Sequence, residues 1–153
     1  MNFQQAVGQT AEVQGSWQPG LQALKGADRV HITARAPRLL SGSVDLDASL
    51  ARRYPNANRW DYGIGRKGRE QANDQVYWVE VHPATEQEVP TVLRKLGWLR
   101  SWLSSSQFLL KEPQPEFIRV SSGRTSSSLA APIRKRLAER HGLFHAGHQF
   151  TID

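Results

Sequence analysis

The densest hydrophobic stretch of the chain is Val76-Tyr77-Trp78-Val79-Glu80-Val81-His82. β-branched and aromatic side chains suit a pleated, packed surface. Apolar residues on both faces near its middle predict an interior strand. Pro83, which has no N–H to give a ladder, ends it. Upstream, Arg59-Trp60-Asp61-Tyr62-Gly63-Ile64-Gly65 alternates with Trp60, Tyr62 and Ile64 on one face, which predicts a second strand. The polar, Gly-containing residues 66–74 predict a hairpin connection between the two. Downstream the period changes. Val89, Val92, Leu93, Leu96, Leu99 and Leu103 recur at helical spacing and predict a long helix over 85–104. Thr85 and Glu88 have capping-box spacing, and Pro90 falls in the first turns, where its missing donor costs least.

Weaker patterns fill in the rest. Val30 and Ile32 alternate with polar residues as a short half-buried strand. Residues 43–46 read as another, leading into a short helix with Asp47 as its N-cap. Residues 54–58 are a turn by composition. Residues 117–120 form a strand after a Pro-bounded loop at 112–115. Residues 130–140 form a helix with Ile133 and Leu137 inward and Gly142 just past its end. Residues 149–152 read as a last strand. A crossover through the long helix would lay 117–120 parallel to a neighbouring strand. The expected fold is a single α/β (α+β) domain over 28–153. It holds a mixed sheet with a hairpin, a long crossover helix and a second helix packed on it. Residues 1–27, polar and anchored by Trp17, read as a flexible N-terminal arm.

Composition narrows the classes. A length of 153 residues suits one domain. A hydrophobic content of 39% is low for a compact domain, in keeping with an arm outside the core. The absence of cysteine excludes disulfides, zinc thiolates, iron–sulfur clusters and thiol nucleophiles. No apolar run approaches the ~20 residues of a membrane span, and the first residues lack the pattern of a secretory signal. No membrane partner and a cytoplasmic location are therefore expected. The chain has 20 Lys+Arg against 14 Asp+Glu, a net charge of +6 and a pI near 10.2. Fifteen of the basic residues are arginine, whose planar fork matches phosphate oxygens. That favours a nucleic-acid partner, although many small basic domains bind no anion. Arg134, Lys135, Arg136 and Arg140 on the last helix, and Arg124 in the Ser-rich stretch 121–128, are candidate nucleic-acid contacts. That stretch could hold a phosphate at a helix N-terminus, but it lacks the Gly-x4-Gly-Lys-Ser/Thr order of a nucleotide loop.

Asp61 and Glu80 carry the main chemical possibility. If their strands pair as a hairpin, both carboxylates reach one edge, and two hard oxygen donors suit Mg²⁺. Such an ion polarises a phosphodiester and activates water. His82, two residues beyond Glu80, shares its face. Asp61 on one strand, Glu80-x-His82 on the next and then a long helix resembles the PD-(D/E)xK, restriction-endonuclease-like, superfamily, whose pattern is an acidic residue on one strand, Glu-x-Lys on the next, then a long helix. Its core order of helix, three strands, helix and strand is similar to the order read over 46–120. The resemblance implies a metal-dependent nuclease with Asp61 and Glu80 as metal ligands. His82 stands where the family has lysine. Family members can carry the lysine on the following helix, which implies Lys95, about three turns along if the helix starts at 85. The phrases Gly42-Ser43-Val44-Asp45-Leu46-Asp47, Arg59 to Gly65 and Trp78-Val79-Glu80-Val81-His82-Pro83 also look like those of a group of uncharacterised small bacterial proteins.

Plainer roles stand beside these. Glu80 could pair with Arg59 or Arg66 across the hairpin, and His82 could close the strand end. Two further functions are open: a non-catalytic protein-interaction or regulatory domain with a protein partner, and a basic nucleic-acid-binding module without chemistry. Asp45-x-Asp47 superficially resembles the first motif of aspartate-nucleophile phosphatases, but no buried apolar strand precedes it. Arg100 falls near the apolar stripe of the long helix, where a charge needs a partner. Trp98 and Trp102 could stack on bases or cover a second layer. His141, His145 and His148 have no acidic companion and suggest adventitious metal affinity at most.

Overall fold

The structure, a computed structural model, describes residues 2–69, 73–83, 85–105, 116–123 and 129–153. In chain order the elements are α1 (Phe3–Gln9), α2 (Gly26–Arg29), β1 (Ile32–Ala34), β2 (Leu40–Asp45), α3 (Leu46–Leu50), β3 (Tyr62–Arg66), β4 (Gln75–His82), α4 (Val89–Ser105), β5 (Glu116–Ser121), α5 (Ala131–His141), β6 (Leu143–His145) and β7 (Phe150–Ile152). One five-stranded sheet runs β2-β3-β4-β5-β6. Its first three strands are antiparallel, and β4, β5 and β6 are parallel. Parallel neighbours need a crossover. Here α4 makes the one from β4 to β5, and α5 the one from β5 to β6. The architecture is the expected α+β domain with a mixed sheet.

β4 is the central strand and packs on both faces. Val76 and Trp78 belong to one core with Phe117 of β5 and Val92, Leu96, Leu99, Trp102 and Leu103 of α4. Tyr77, Val79 and Val81 belong to a second core with Tyr62, Ile64, Ile118 and Val120. The second core is closed by β1 and β7, which pair in parallel as a separate small sheet rather than extending the main one. Trp60 joins the first core although Tyr62 and Ile64 face the second, because the alternation of β3 begins only at Tyr62.

Residues 2–27 pack against the sheet. Phe3, Ala6, Val7 and Val13 enter the first core and Leu24 the second. α1 has its own capping box, in which Asn2 and Gln5 each accept the other's backbone N–H. Phe3 lies against Gly65, where an added Cβ would come within 2.4 Å of the Phe3 Cγ. The Trp17 indole donates to the Ser41 carbonyl, and Gln18 bridges Ser43 at the β2 edge. The polar composition that suggested an arm conceals a few apolar residues with large burial.

Several local details differ from expectation. Asp45 rather than Asp47 caps α3, accepting the Ala48 N–H at 2.8 Å. Asp47 instead pairs with Arg59 at 3.0 Å. Residues Glu86–Glu88 form a 3₁₀ turn, and α4 proper begins at Val89. Thr85 makes no side-chain cap bond among the described residues. Arg100 is exposed. It donates to the His141 carbonyl and lies 5.0 Å from the Phe117 ring centroid. β6, a strand of three residues after Gly142, is too short for its pattern to show in sequence. Among the described residues no helix is long and apolar enough to cross a membrane. Arg124, most of the 121–128 stretch, the 112–115 loop and part of the 66–74 connection lie outside the described residues.

The packing of α1 is directly testable. Phe3 is 2% exposed, so Phe3→Ala should cost about 3–5 kcal/mol in urea denaturation, the usual range for emptying a buried aromatic site. A loss below about 1 kcal/mol would mean that the first residues stand apart from the core.

Candidate active site

The β3–β4 register, with Tyr62 opposite Val79, carries on past the end of β3 to bring Asp61 beside Glu80. Each acid then takes the other strand's backbone. Glu80 Oε2 accepts the Asp61 N–H at 3.1 Å, and Asp61 Oδ2 accepts the Val81 N–H at 2.9 Å. Neither Arg59 nor Arg66 takes Glu80: Arg59 holds Asp47, and Arg66 donates to the Asp153 carbonyl. Along β4, Val76, Trp78, Glu80 and His82 share one face, so the face changes from apolar to ionisable towards the end of the strand. His82 Nε2 lies 2.8 Å from Glu80 Oε1.

α4 completes the cluster. Lys95 Nζ contacts Glu80 Oε1, lies 3.0 Å from His82 Nε2 and is 3.8 Å from Asp61 Oδ1. Because residues 86–88 are taken up by the 3₁₀ turn, Lys95 is less than two turns into α4, at ~3.6 residues per turn. It belongs to the buried stripe itself, with Val92, Leu96, Leu99 and Trp102. His82 Nε2 can donate to Glu80 or accept from Lys95, but not both at once. The protonation of the ring therefore selects its partner.

Burial sets the electrostatics. Glu80 is 0% and Lys95 9% exposed, and such charges persist in a low-dielectric interior only when paired. The Asp61 carboxyl is pushed up to about 7, first by burial and next by the Glu80 charge, with Lys95 and the Val81 N–H acting against the rise. His82 is raised above its ordinary value, chiefly by its hydrogen bond to Glu80. One ligand atom each from Asp61, Glu80 and His82 lie within 4.8 Å of one another, and these three form the one such group among the described residues that could hold a metal ion. Two oxygens and an imidazole nitrogen suit Mn²⁺ at least as well as Mg²⁺.

One residue of the cluster was missed in the sequence. In the β4–β5 ladder Glu80 pairs with Arg119, and in β5–β6 Arg119 pairs with His145. A polar row, Asp61, Glu80, Arg119 and His145, thus crosses four neighbouring chain segments. Arg119 is 1% exposed. The signal was a charge inside the otherwise apolar Phe117-Ile118-Arg119-Val120. Arg119, Lys95, His82 and Glu80 wall a recess of about 70 Å³, together with Glu88 and Thr91.

The other sequence candidates lie elsewhere. Arg134, Lys135, Arg136 and Arg140 are all exposed on α5. Lys135 pairs with Glu139 at 3.9 Å, and among the described residues none of the four bonds to the Asp61–Glu80–Lys95 cluster. At ~100° per residue they spread over much of the helix circumference rather than forming one stripe. His141, His145 and His148 do not gather as a metal group among the described residues. Trp98 and Trp102 stack on each other, 6.3 Å apart with planes 10° from parallel. Trp102 is buried and donates to Glu12 at 3.3 Å, so this pair covers the N-terminal segment rather than offering a free stacking platform.

The acidic pair gives a signed pH effect. An Asp61 raised from 3.8 to about 7 on folding adds stability that is complete below the unfolded value and is lost as pH rises through 7. The raised His82 acts in the same sense, its contribution fading as pH climbs above the unfolded value of 6.5. Metal-free Asp61→Asn should therefore show a flatter fall in stability between about pH 5 and about pH 8 than the parent chain. Denaturant midpoints at both pH values measure this, and parallel slopes would show that Asp61 ionises normally.

No family model matches the chain, nor does any curated protein or solved structure, so the function rests on the chemistry of the cluster itself.

Proposed function

We propose that the chain is a metal-dependent, nuclease-like hydrolase of nucleic-acid phosphodiesters. One observation carries this reading: Asp61, Glu80 and Lys95, from a strand edge, the next strand and the following helix, meet at one point. The sequence resemblance requires two carboxylates and a lysine there. In this chain the lysine comes from α4, while His82 occupies the position two residues past the glutamate. Over 46–120 the elements run α3, β3, β4, α4, β5, a helix, strands, helix and strand, with two strands before α4 where the superfamily that the sequence resembles has three; the third antiparallel strand, β2, precedes α3. The net charge of +6 suits a polyanionic substrate.

Asp61 and Glu80 would hold the divalent ion, which supplies Lewis-acid polarisation of the phosphoryl group and a water acidic enough to ionise near neutrality. The Lys95 ammonium places a fixed positive charge beside the carboxylates, where charge develops on a phosphoryl oxygen. His82, whose hydrogen bond to Glu80 raises its pKa above the ordinary value, holds its proton more readily and is placed to pass it to a departing oxygen. The backbone latches between Asp61 and Glu80 hold both carboxylates in place before anything binds.

A second reading has its own support. Glu80 already meets the Asp61 N–H, Lys95 and His82, as in a closed structural ion cluster of a protein-interaction domain. The two readings separate in one experiment. The hydrolase requires Mg²⁺- or Mn²⁺-dependent cleavage of DNA or RNA that Glu80→Gln abolishes and Lys95→Met lowers by about 10²–10⁴. Metal titration should shift the Asp61 and Glu80 signals first. If those signals stay still at millimolar Mn²⁺ in a folded chain, the cluster is structural.

A further inference from the structure

We propose that Arg119 binds a phosphoryl oxyanion in the recess between the carboxyl ends of β4 and β5 and the first turns of α4. In identifying that oxyanion with the substrate's phosphate, the proposal rests on the hydrolase reading; the anion site itself does not.

Arg119 is buried to 1% exposure, and a buried guanidinium is nearly always paired. It has five N–H donors. Among the described residues its Nε and Nη1 have no hydrogen-bond partner, and Nη2 reaches only the Pro83 carbonyl at 3.5 Å, the limit of a hydrogen bond. The nearest acid across the ladder, Glu80, has both oxygens engaged by Lys95, His82 and the Asp61 N–H. Arg119 is therefore a desolvated cation bordering the recess with two donor nitrogens unused: the charges of Glu80 and Glu88 act on it, but among the described residues neither accepts a hydrogen bond from it.

The recess has the size for a small anion. At about 70 Å³ it is a small recess, roughly two waters at ~30 Å³ each, on the scale of the exposed oxygens of one phosphoryl group. Arg119 offers the two-pronged geometry that fits phosphate, and Lys95 lines the same space. Ser121, two residues along β5 on the same face and opposite His82 in the ladder, also has a buried hydroxyl without a partner among the described residues. Arg119 and Ser121 lie towards the carboxyl end of β5, with Lys95 on α4 lining the recess beside Arg119, and the carboxyl ends of parallel strands are where open α/β sheets seat their ligands.

A divalent ion on Asp61 and Glu80 would make the cluster more positive. Metal and phosphate should then favour each other's binding by the same factor.

The test uses the full chain, first without metal. Inorganic phosphate should shift the Arg119 Nε–H resonance saturably. Read at the backbone amides of Glu80 and Ser121, Arg119→Gln should abolish phosphate binding and Arg119→Lys should weaken it about 10- to 100-fold, the worth of a charged hydrogen bond. The parent titration decides the matter even if a variant fails to fold: no saturable shift at Arg119 overturns the proposal. A dinucleotide with a 5′-phosphate and the same dinucleotide without it separate the sources. Stronger binding of the first assigns the recess to a terminal phosphate, and equal binding assigns it to the backbone diester. Asp61→Asn separates this proposal from the hydrolase reading, since it should remove metal binding and keep the phosphate shift. Metal-dependent cleavage with a silent Arg119 would leave the hydrolase standing and remove the anion site. A phosphate shift without any metal response would do the reverse.

Discussion

Glu80 is a carboxylate with no solvent exposure, set in the central strand of the sheet. Removing such a charge from water costs several kcal/mol even after relaxation. The surroundings offset that cost from three directions: the Asp61 backbone N–H on one side, His82 along the strand and Lys95 from α4 above. These bonds tie β4 to the chain entering β3 and to the crossover helix. Packed hydrophobic residues commonly match or exceed a buried ion cluster in stability. Stability alone therefore gives no reason to build one here.

The position of the cluster follows from sheet topology. β4 is where the antiparallel half of the sheet meets the parallel half. On its antiparallel side the hairpin register brings Asp61 next to Glu80. On its parallel side the ladder brings Arg119 in line with Glu80, and Ser121 in line with His82. Both parallel strands end beside the start of α4. Anionic, cationic and titratable groups thus converge at one end of one sheet while the rest of that face, Val76, Trp78 and Phe117, stays apolar.

Much of this was legible in the residues. β4 shows itself through its β-branched and aromatic density, and α4 through its stripe. The pairing of Asp61 with Glu80 follows once the hairpin is granted. Lys95 was harder to place, because the stripe reads well without it. Yet it lies between Val92 and Leu99 at i+3 and i+7, and a lysine in that position must find a partner. Arg119 was passed over inside a strand that is otherwise apolar. The first 27 residues misled by average composition, since Phe3, Val7 and Val13 are few but fully used.

Local patterns determined the identity of the main strands, the long helix and the two acids that could meet, because periodicity and side-chain chemistry act over a few residues at a time. Only the tertiary structure decided that the lysine of α4 reaches the acids, that Arg119 is buried with donor nitrogens unused among the described residues and that the N-terminal segment closes a core. Those outcomes depend on which faces distant segments bury together. The free energy of such burial belongs to the assembled surfaces and to none of the segments alone.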